Sequence, residues 1–303
     1  MLQLLEELTQ EHRRASDPCP LSGPFGRYEI LDEIDRGASS IVYLATDPNL
    51  DRLVALKVAL PETIDDPERL RRFELEGTMV SRLDHPNIIR VHGAGIVAEI
   101  PYLAMDYVEG ETLADWLLKD QTITSRQASR LVREIAGAIG HVHDRGVLNL
   151  DLKPRNIMLC PSVSKSPDDL GSIPMIIDFG LARLFDEGDE SFDGMSLVGT
   201  PPYLAPEQVR EGSGKCGMTA DVYALGIILY ELLVGWPPFL GKNRLNMIRA
   251  LLEDEPIPPS LLRPDVPPML EAICLRCLEK LPDRRYATAR DLYDDLGRFL
   301  DNA

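Results

Sequence analysis

Between Val222 and Trp236 a single charged residue, Glu231, interrupts an otherwise apolar run that includes Leu225, Ile227, Ile228, Leu229, Leu232 and Leu233. A helix over Ala220–Gly235 is therefore apolar almost all round, and such a helix must be enclosed by other elements rather than lie on a surface. The run is also too short to span a bilayer, which needs ~20 apolar residues. The chain must build a sizeable helical body around it. Leu131, Ile135, Ile139 and Val142 supply the spacing of a core-facing helix that stops near Gly146, and further helices are predicted over Lys242–Leu252, Pro268–Lys280 and Thr288–Leu300. Before Gly110 the pattern differs. Short β-like runs at Tyr28–Ile34, Ile41–Ala45 and Leu53–Val58 precede a helical stretch from Pro67 to Leu83, and two more follow at Ile88–Val91 and Tyr102–Tyr107. A β-rich first third joined to a helical remainder predicts an α+β chain with two lobes, and clefts between such lobes are common ligand sites.

The 303 residues are 44% hydrophobic and 27% charged, which fits a globular protein and excludes a collagenous or disordered one. Forty-nine acidic residues against 32 basic ones leave a formal charge of −17, so no nucleic acid and no anionic membrane is expected as a partner. The five scattered cysteines do not look like a disulfide framework. Cys274 and Cys277 form one C-x-x-C, but without a second Cys/His pair it reads as two small buried residues on one helix face. The first residues carry Glu6, Glu7 and Glu11 and lack a basic leader region, so a cytoplasmic location is the expectation. Leu2, Leu4, Leu5 and Leu8 make the N-terminus amphipathic, and a Pro/Gly-bearing linker, Asp17–Pro24, follows. That amphipathic stretch either packs on its own domain, the favoured reading, or joins two copies in a homodimer.

Six motifs stand in order on the remaining chain. Val54-Ala-Leu-Lys57 lies on a strand and precedes a helix carrying Glu76. Asp151-Leu-Lys-Pro-Arg-Asn156 lies in the loop after the Leu131–Val142 helix. Asp178-Phe-Gly180 follows the strand-like Met175–Ile177. Gly199-Thr-Pro-Pro-Tyr-Leu-Ala-Pro-Glu207 precedes Asp221, which opens the apolar helix. A lone lysine on a Val/Ala/Leu strand needs a charge partner, and Asp178 and Asn156 are hard oxygen donors of the kind Mg²⁺ takes. In this order the set strongly resembles the eukaryotic-type (Hanks-type) serine/threonine protein kinases, also found in bacteria, from about Tyr28 to Leu300.

The resemblance implies a two-lobed kinase fold: a small N-lobe of antiparallel sheet plus one helix over about 28–105, a hinge at 106–110, and a larger, mostly helical C-lobe over 111–300, with 1–27 as an extension. It implies ATP and Mg²⁺ as cofactors and protein substrates with a Ser or Thr acceptor. Lys57 would grip the α- and β-phosphates and Glu76 would hold its ammonium. Asp151 would take the acceptor's hydroxyl proton, and Lys153 would neutralise the γ-phosphoryl charge. Asn156 and Asp178 would bind the metal. Ile34, Gly37, Val42 and Ala55 would lie over the nucleotide, Met158 beneath it, Met105 at the gatekeeper position, and the backbone of Asp106-Tyr107-Val108 would bond the base. Val80, Val91 and Phe179 match the family's regulatory stack, and Glu207 with Arg285 matches a structural ion pair.

Two segments depart from the pattern. The glycine loop reads Asp35-Arg-Gly37-Ala-Ser-Ser40-Ile-Val42, with one of the three glycines, and weaker ATP binding is expected. The catalytic loop reads Asn149-Leu150-Asp151 where the family has His-Arg-Asp. Without that arginine, phosphorylation at Ser191 or Ser196, in a segment already rich in Asp and Glu, is expected to add little activity. Asn149 needs a hydrogen-bond partner of its own. The insertion between Cys160 and Pro174 is expected to be an exposed hairpin or loop. A pseudokinase scaffold and a small-molecule kinase stand as alternative readings. The complete charged set opposes the first, and the intact Gly199–Glu207 segment opposes the second.

Overall fold

In the computed structural model, residues 22–119, 123–162, 170–179, 183–184, 201–212 and 216–302 are described. The amphipathic N-terminus, the acidic stretch with Ser191 and Ser196, Gly180, Gly199 and the middle of the 160–174 insertion lie outside them. The chain divides into two units, one running up to Arg82 and including Arg90–Val108, the other made of Leu83–Ile89 and everything from Glu109 onward.

The first unit is a six-stranded antiparallel sheet in the order β1-β2-β3-β4-β6-β5. Its strands are β1 (Gly23–Phe25), β2 (Tyr28–Arg36), β3 (Ser40–Asp47), β4 (Arg52–Ala59), β5 (Val91–Val97) and β6 (Ile100–Asp106). Alternation divides them into faces. Val54, Leu56 and Val58 of β4 join Tyr28, Ile30, Ile41, Tyr43, Ala45 and Ala104 in one apolar cluster. Ala55 and Lys57 therefore point to the other face. Between β4 and β5 run α1 (Pro61–Ile64), a single turn, and α2 (Pro67–Val80). Asp66 caps α2 by accepting from the amides of Glu68 and Arg69, and Pro67 fills the first helical position, where no amide is missed. The helix lies against the Lys57 face of the sheet. A side chain on Gly77 would come within 2.3 Å of Leu103, which stands opposite Lys57 in the ladder, so the close approach requires glycine.

The structure corrects the expected outline in three places. Gly23–Phe25, assigned to the linker, is an edge strand paired with β2, where Pro24 is tolerated. The small unit carries the extra turn α1 besides its one long helix. Ile88–Val91 is not a strand: the Ile89 amide donates to the Ile176 carbonyl in the second unit, and β5 begins only at Val91.

The second unit contains β7 (Glu111–Thr112), α3 (Leu113–Leu117), α4 (Ser125–His143), β8 (Val147–Leu148), β9 (Ile157–Pro161), β10 (Ser172–Ile176), β11 (Arg183–Leu184), α5 (Pro206–Glu211), α6 (Met218–Val234), α7 (Arg244–Glu253), α8 (Pro259–Leu262), α9 (Pro268–Cys277) and α10 (Ala289–Asn302). α6 is the apolar helix, buried from Ala220 through Leu233 and closed by Gly235 in a left-handed cap. The C-x-x-C is part of its packing. The Cys274 thiol lies 3.7 Å from the Gly226 carbonyl, and a side chain on Gly226 would strike Cys277. Burial raises both thiols, so neither is a ready nucleophile. Around the insertion, β9 and β10 pair antiparallel from Ile157–Ile176 to Pro161–Ser172, so a hairpin carries it. No helix among the described residues is long and apolar enough to cross a membrane.

Candidate active site

The first unit holds an ion pair that neither residue could form without the sheet–helix contact. Lys57 Nζ donates to both carboxylate oxygens of Glu76, at 2.6 and 2.8 Å, and the residues are only 7% and 5% exposed. A buried ammonium is tolerated when a carboxylate answers it, and removing either partner strands a charge. Glu76 precedes Gly77 in α2, where the missing side chain lets the helix close onto Leu103.

Ladder register sets the apolar surroundings of this pair. Val42 stands opposite Lys57 and Leu103 follows on the next strand, while Leu44, Ala55 and Met105 form the parallel row, so Val42, Ala55 and Met105 share the face of Lys57. Ile34 is 44% exposed on β2. Gly37 makes the β2–β3 turn through its amide to the Ser40 carbonyl, at 2.9 Å. It has no positive φ, and a side chain there would meet only an ordinary contact at 3.5 Å. The turn is anchored instead by its neighbour: the Ser39 carbonyl accepts from the Leu60 amide at 3.0 Å and from the buried Thr63 hydroxyl at 2.7 Å. At the end of β6 the Asp106 amide donates to the Arg90 carbonyl, and its carboxylate lies 2.5 Å from His92 Nε2. Val108, two residues on, is half-buried.

In the second unit, α4 delivers the chain through β8 into a loop built on Asp221. This carboxylate, in the first turn of α6 and fully buried, accepts from the Asn149 amide at 3.0 Å and the Leu150 amide at 2.8 Å. It also lies 2.8 Å from His143 Nε2 on α4. A positive helix end and three donors are what a buried carboxylate needs. Leu150, at the position of the family's arginine, is buried with φ +61°, a left-handed conformation that costs a leucine ~1–2 kcal/mol. The polar partner Asn149 required is present: its side-chain amide donates to the Asp178 carbonyl at 3.4 Å, and its Oδ1 accepts from the Asp151 amide at 3.2 Å.

Asp151 is the centre of this loop. Lys153 Nζ donates to its Oδ2 at 2.7 Å, and Asn156 Nδ2 donates to the same oxygen at 3.2 Å and to the Asp151 carbonyl at 2.9 Å. Burial pushes the Asp151 carboxyl above the ordinary carboxylate value; the Lys153 ammonium opposes that rise, and the nearby charge of Asp178 adds to it. A carboxylate poised this way can accept a proton nearer neutral pH. Asp178 follows β10, and Phe179 beside it is buried. Met158 is half-buried on β9. Lys57 with Glu76 form one grouping, and Asp151, Lys153, Asn156 and Asp178 the other.

A family model for the protein kinase domain matches residues 28–295. The chain belongs to the protein kinase family. It is 36% identical to serine/threonine-protein kinase PknB of Mycolicibacterium smegmatis, over 90% of this chain and 43% of that protein. It is likewise 36% identical to serine/threonine-protein kinase PrkC of Bacillus subtilis, over 91% of this chain and 41% of that protein. The chain thus spans about two-fifths of the length of these curated relatives. Among solved structures, the Mycobacterium tuberculosis PknI kinase domain is similar with a TM-score of 0.70 at 28% identity, covering 92% of this chain and 99% of that one.

Within the kinase domain, sequence reasoning missed His143, Gln208 and the Ser39–Thr63 anchor. Gln208 is 5% exposed; its Nε2 donates to the Leu150 carbonyl at 3.0 Å and its Oε1 accepts from the Ala205 amide at 2.8 Å. A glutamine after Pro-Glu reads as helix surface, and only the folded chain brings Leu150 to it. Glu207 beside it forms the two-pronged pair with Arg285, at 2.7 and 2.8 Å.

Proposed function

We propose that this domain transfers the γ-phosphoryl group of ATP to serine or threonine hydroxyls of protein substrates. The observation that carries the reading is the half-buried Asp151 held by Lys153 and Asn156 in one loop. The acceptor oxygen attacks the γ-phosphorus, its bond to the β–γ bridging oxygen breaks, ADP leaves, and the hydroxyl proton passes to an Asp151 oxygen. Phosphoryl transfer asks a protein mainly for position and charge neutralisation. Lys57, fixed by Glu76, supplies positive charge for the α- and β-phosphates, and Lys153 supplies it for the transferred group.

The donors suit Mg²⁺. Asn156 spends its amide nitrogen on Asp151, which leaves its side-chain oxygen as the acceptor atom, and Asp178 offers a carboxylate. One carboxylate and one amide are sparse for an all-protein cage but suit an ion that also keeps waters and phosphate oxygens. When bound, the ion neutralises phosphate charge.

Val42, Ala55, Met105, Ile34, Gly37, Met158 and the backbone of Asp106 and Val108 are proposed to contact the nucleotide. Asp35 and the lone glycine support ATP binding weaker than that of a three-glycine loop. Leu150 offers no cation to a phosphate, which supports activity independent of phosphorylation at Ser191 or Ser196. The test is incubation with Mg²⁺, γ-labelled ATP and a generic basic protein beside an Asp151→Asn control. Label on Ser or Thr that the control loses supports the reading; transfer equal to the control overturns it.

A further inference from the structure

The peptide unit joining Leu150 to Asp151 has both polar atoms held by side chains. Its carbonyl oxygen accepts from Gln208 Nε2 at 3.0 Å, and its N–H donates to Asn149 Oδ1 at 3.2 Å. One residue earlier, the Leu150 amide is held by Asp221 Oδ1 at 2.8 Å. Leu150 itself sits at φ +61°, where a leucine does not stay without outside hold. Rotation of this one peptide would swing Asp151, the next residue, away from its place. Of the three side chains in the clamp, Gln208 alone comes from α5, and its Oε1 is tied to the Ala205 amide at the head of that helix.

We infer that Gln208 is a positioning residue for Asp151: it fixes the Leu150–Asp151 peptide and couples the catalytic loop to the Ala205–Pro206 turn by a permanent hydrogen bond. The inference rests on the proposed kinase reading for its effect on turnover, but the clamp itself is a property of the fold. Leu150 removes the charged contact through which phosphate would order this region. Gln208 supplies order with no modification. The amide is used at both ends, so neither Glu nor Met replaces it: a carboxylate has no hydrogen for the Leu150 carbonyl, and a thioether neither donates it nor accepts well from Ala205.

Two readouts test this on the whole chain. In Gln208→Met, hydrogen exchange of the Leu150 and Asp151 amides should quicken about tenfold while the amides of α6 keep their protection. With ATP, Mg²⁺ and the generic basic protein, kcat should fall about tenfold with KM for ATP unchanged. Gln208→Glu keeps the size and can donate only when protonated, so its kcat relative to wild type should rise at least about threefold between about pH 8 and pH 6. Unchanged exchange at Leu150 and Asp151, or a flat ratio for Gln208→Glu, overturns the proposal. Exchange is read whether or not wild type transfers phosphate, so failure of the clamp and failure of the kinase reading are told apart.

Discussion

The two charged groupings of this domain are built in opposite ways. Lys57 and Glu76 sit on regular elements, a strand and a helix, and meet because Gly77 lets α2 close onto Leu103. Asp151 sits on a loop with a left-handed leucine before it, and the groups that hold the loop in place come from three parts of the chain: Asp221 from α6, Gln208 from α5, and Asn149, Lys153 and Asn156 from the loop itself. Periodic packing suffices to orient the Lys57–Glu76 pair, which is proposed to grip a static group. On the proposed reading, a base that must meet a moving proton is held instead by a hydrogen-bond network, and the residue preceding it carries the left-handed backbone.

That contrast predicts unequal responses. Lys57→Met leaves Glu76 buried without its cation, and kcat/KM for ATP should fall by about 10²–10³, checked by steady-state kinetics. Glu76→Gln should cost less, because the lysine keeps its place on the strand. A loss for Lys57→Met confined to kcat, with ATP affinity intact, would break the assignment of the first grouping to nucleotide binding.

Lys153→Met should lower kcat by about tenfold to a hundredfold and also move the pH profile. The ammonium holds the Asp151 carboxyl down against burial and against Asp178, so its removal lets that carboxyl rise further. The acidic limb of kcat/KM then shifts to higher pH, while Lys153→Arg keeps it in place. A limb that stays fixed in the methionine variant would separate Lys153 from Asp151.

The smallest effect lies away from both groupings. Burial raises the Glu231 carboxyl to about 7 from an ordinary value of 4.5, and the Tyr203 hydroxyl donates to it at 2.8 Å. The folded chain therefore binds that proton more tightly than the unfolded chain. The resulting stabilisation is complete below about pH 4.5, is lost as pH rises through about 7, and amounts to about 3 kcal/mol. Glu231→Gln should flatten the dependence of Tm on pH across that window, measured by calorimetry, with turnover at neutral pH little changed.

The comparison also explains what the sequence disclosed. Val54-Ala-Leu-Lys57 is a short β-like run and the α2 stretch repeats with helical period, so both elements and their charges were readable, as was α6 from an apolar run broken only by Glu231. Asp151, Lys153 and Asn156 were readable as a motif with fixed spacing. Their supports were not. Leu150 reads as a missing arginine, and nothing in its own identity announces a left-handed buried residue. Gln208 and His143 look like surface polar residues until the fold brings Leu150 and Asp221 to them. The strand Gly23–Phe25 was hidden because Gly23, Pro24 and Gly26 are turn signals, and only an edge position makes them compatible with a ladder.

The most direct measurement puts Asp151→Asn and wild type side by side under saturating ATP and Mg²⁺, reading transferred label and ATP-induced rise in Tm together. The account predicts that the asparagine variant keeps the rise in Tm and loses transfer by about 10³-fold or more. Transfer that survives the substitution, or a variant that loses nucleotide stabilisation along with transfer, would contradict the division between a grouping that grips the nucleotide and one that takes the proton.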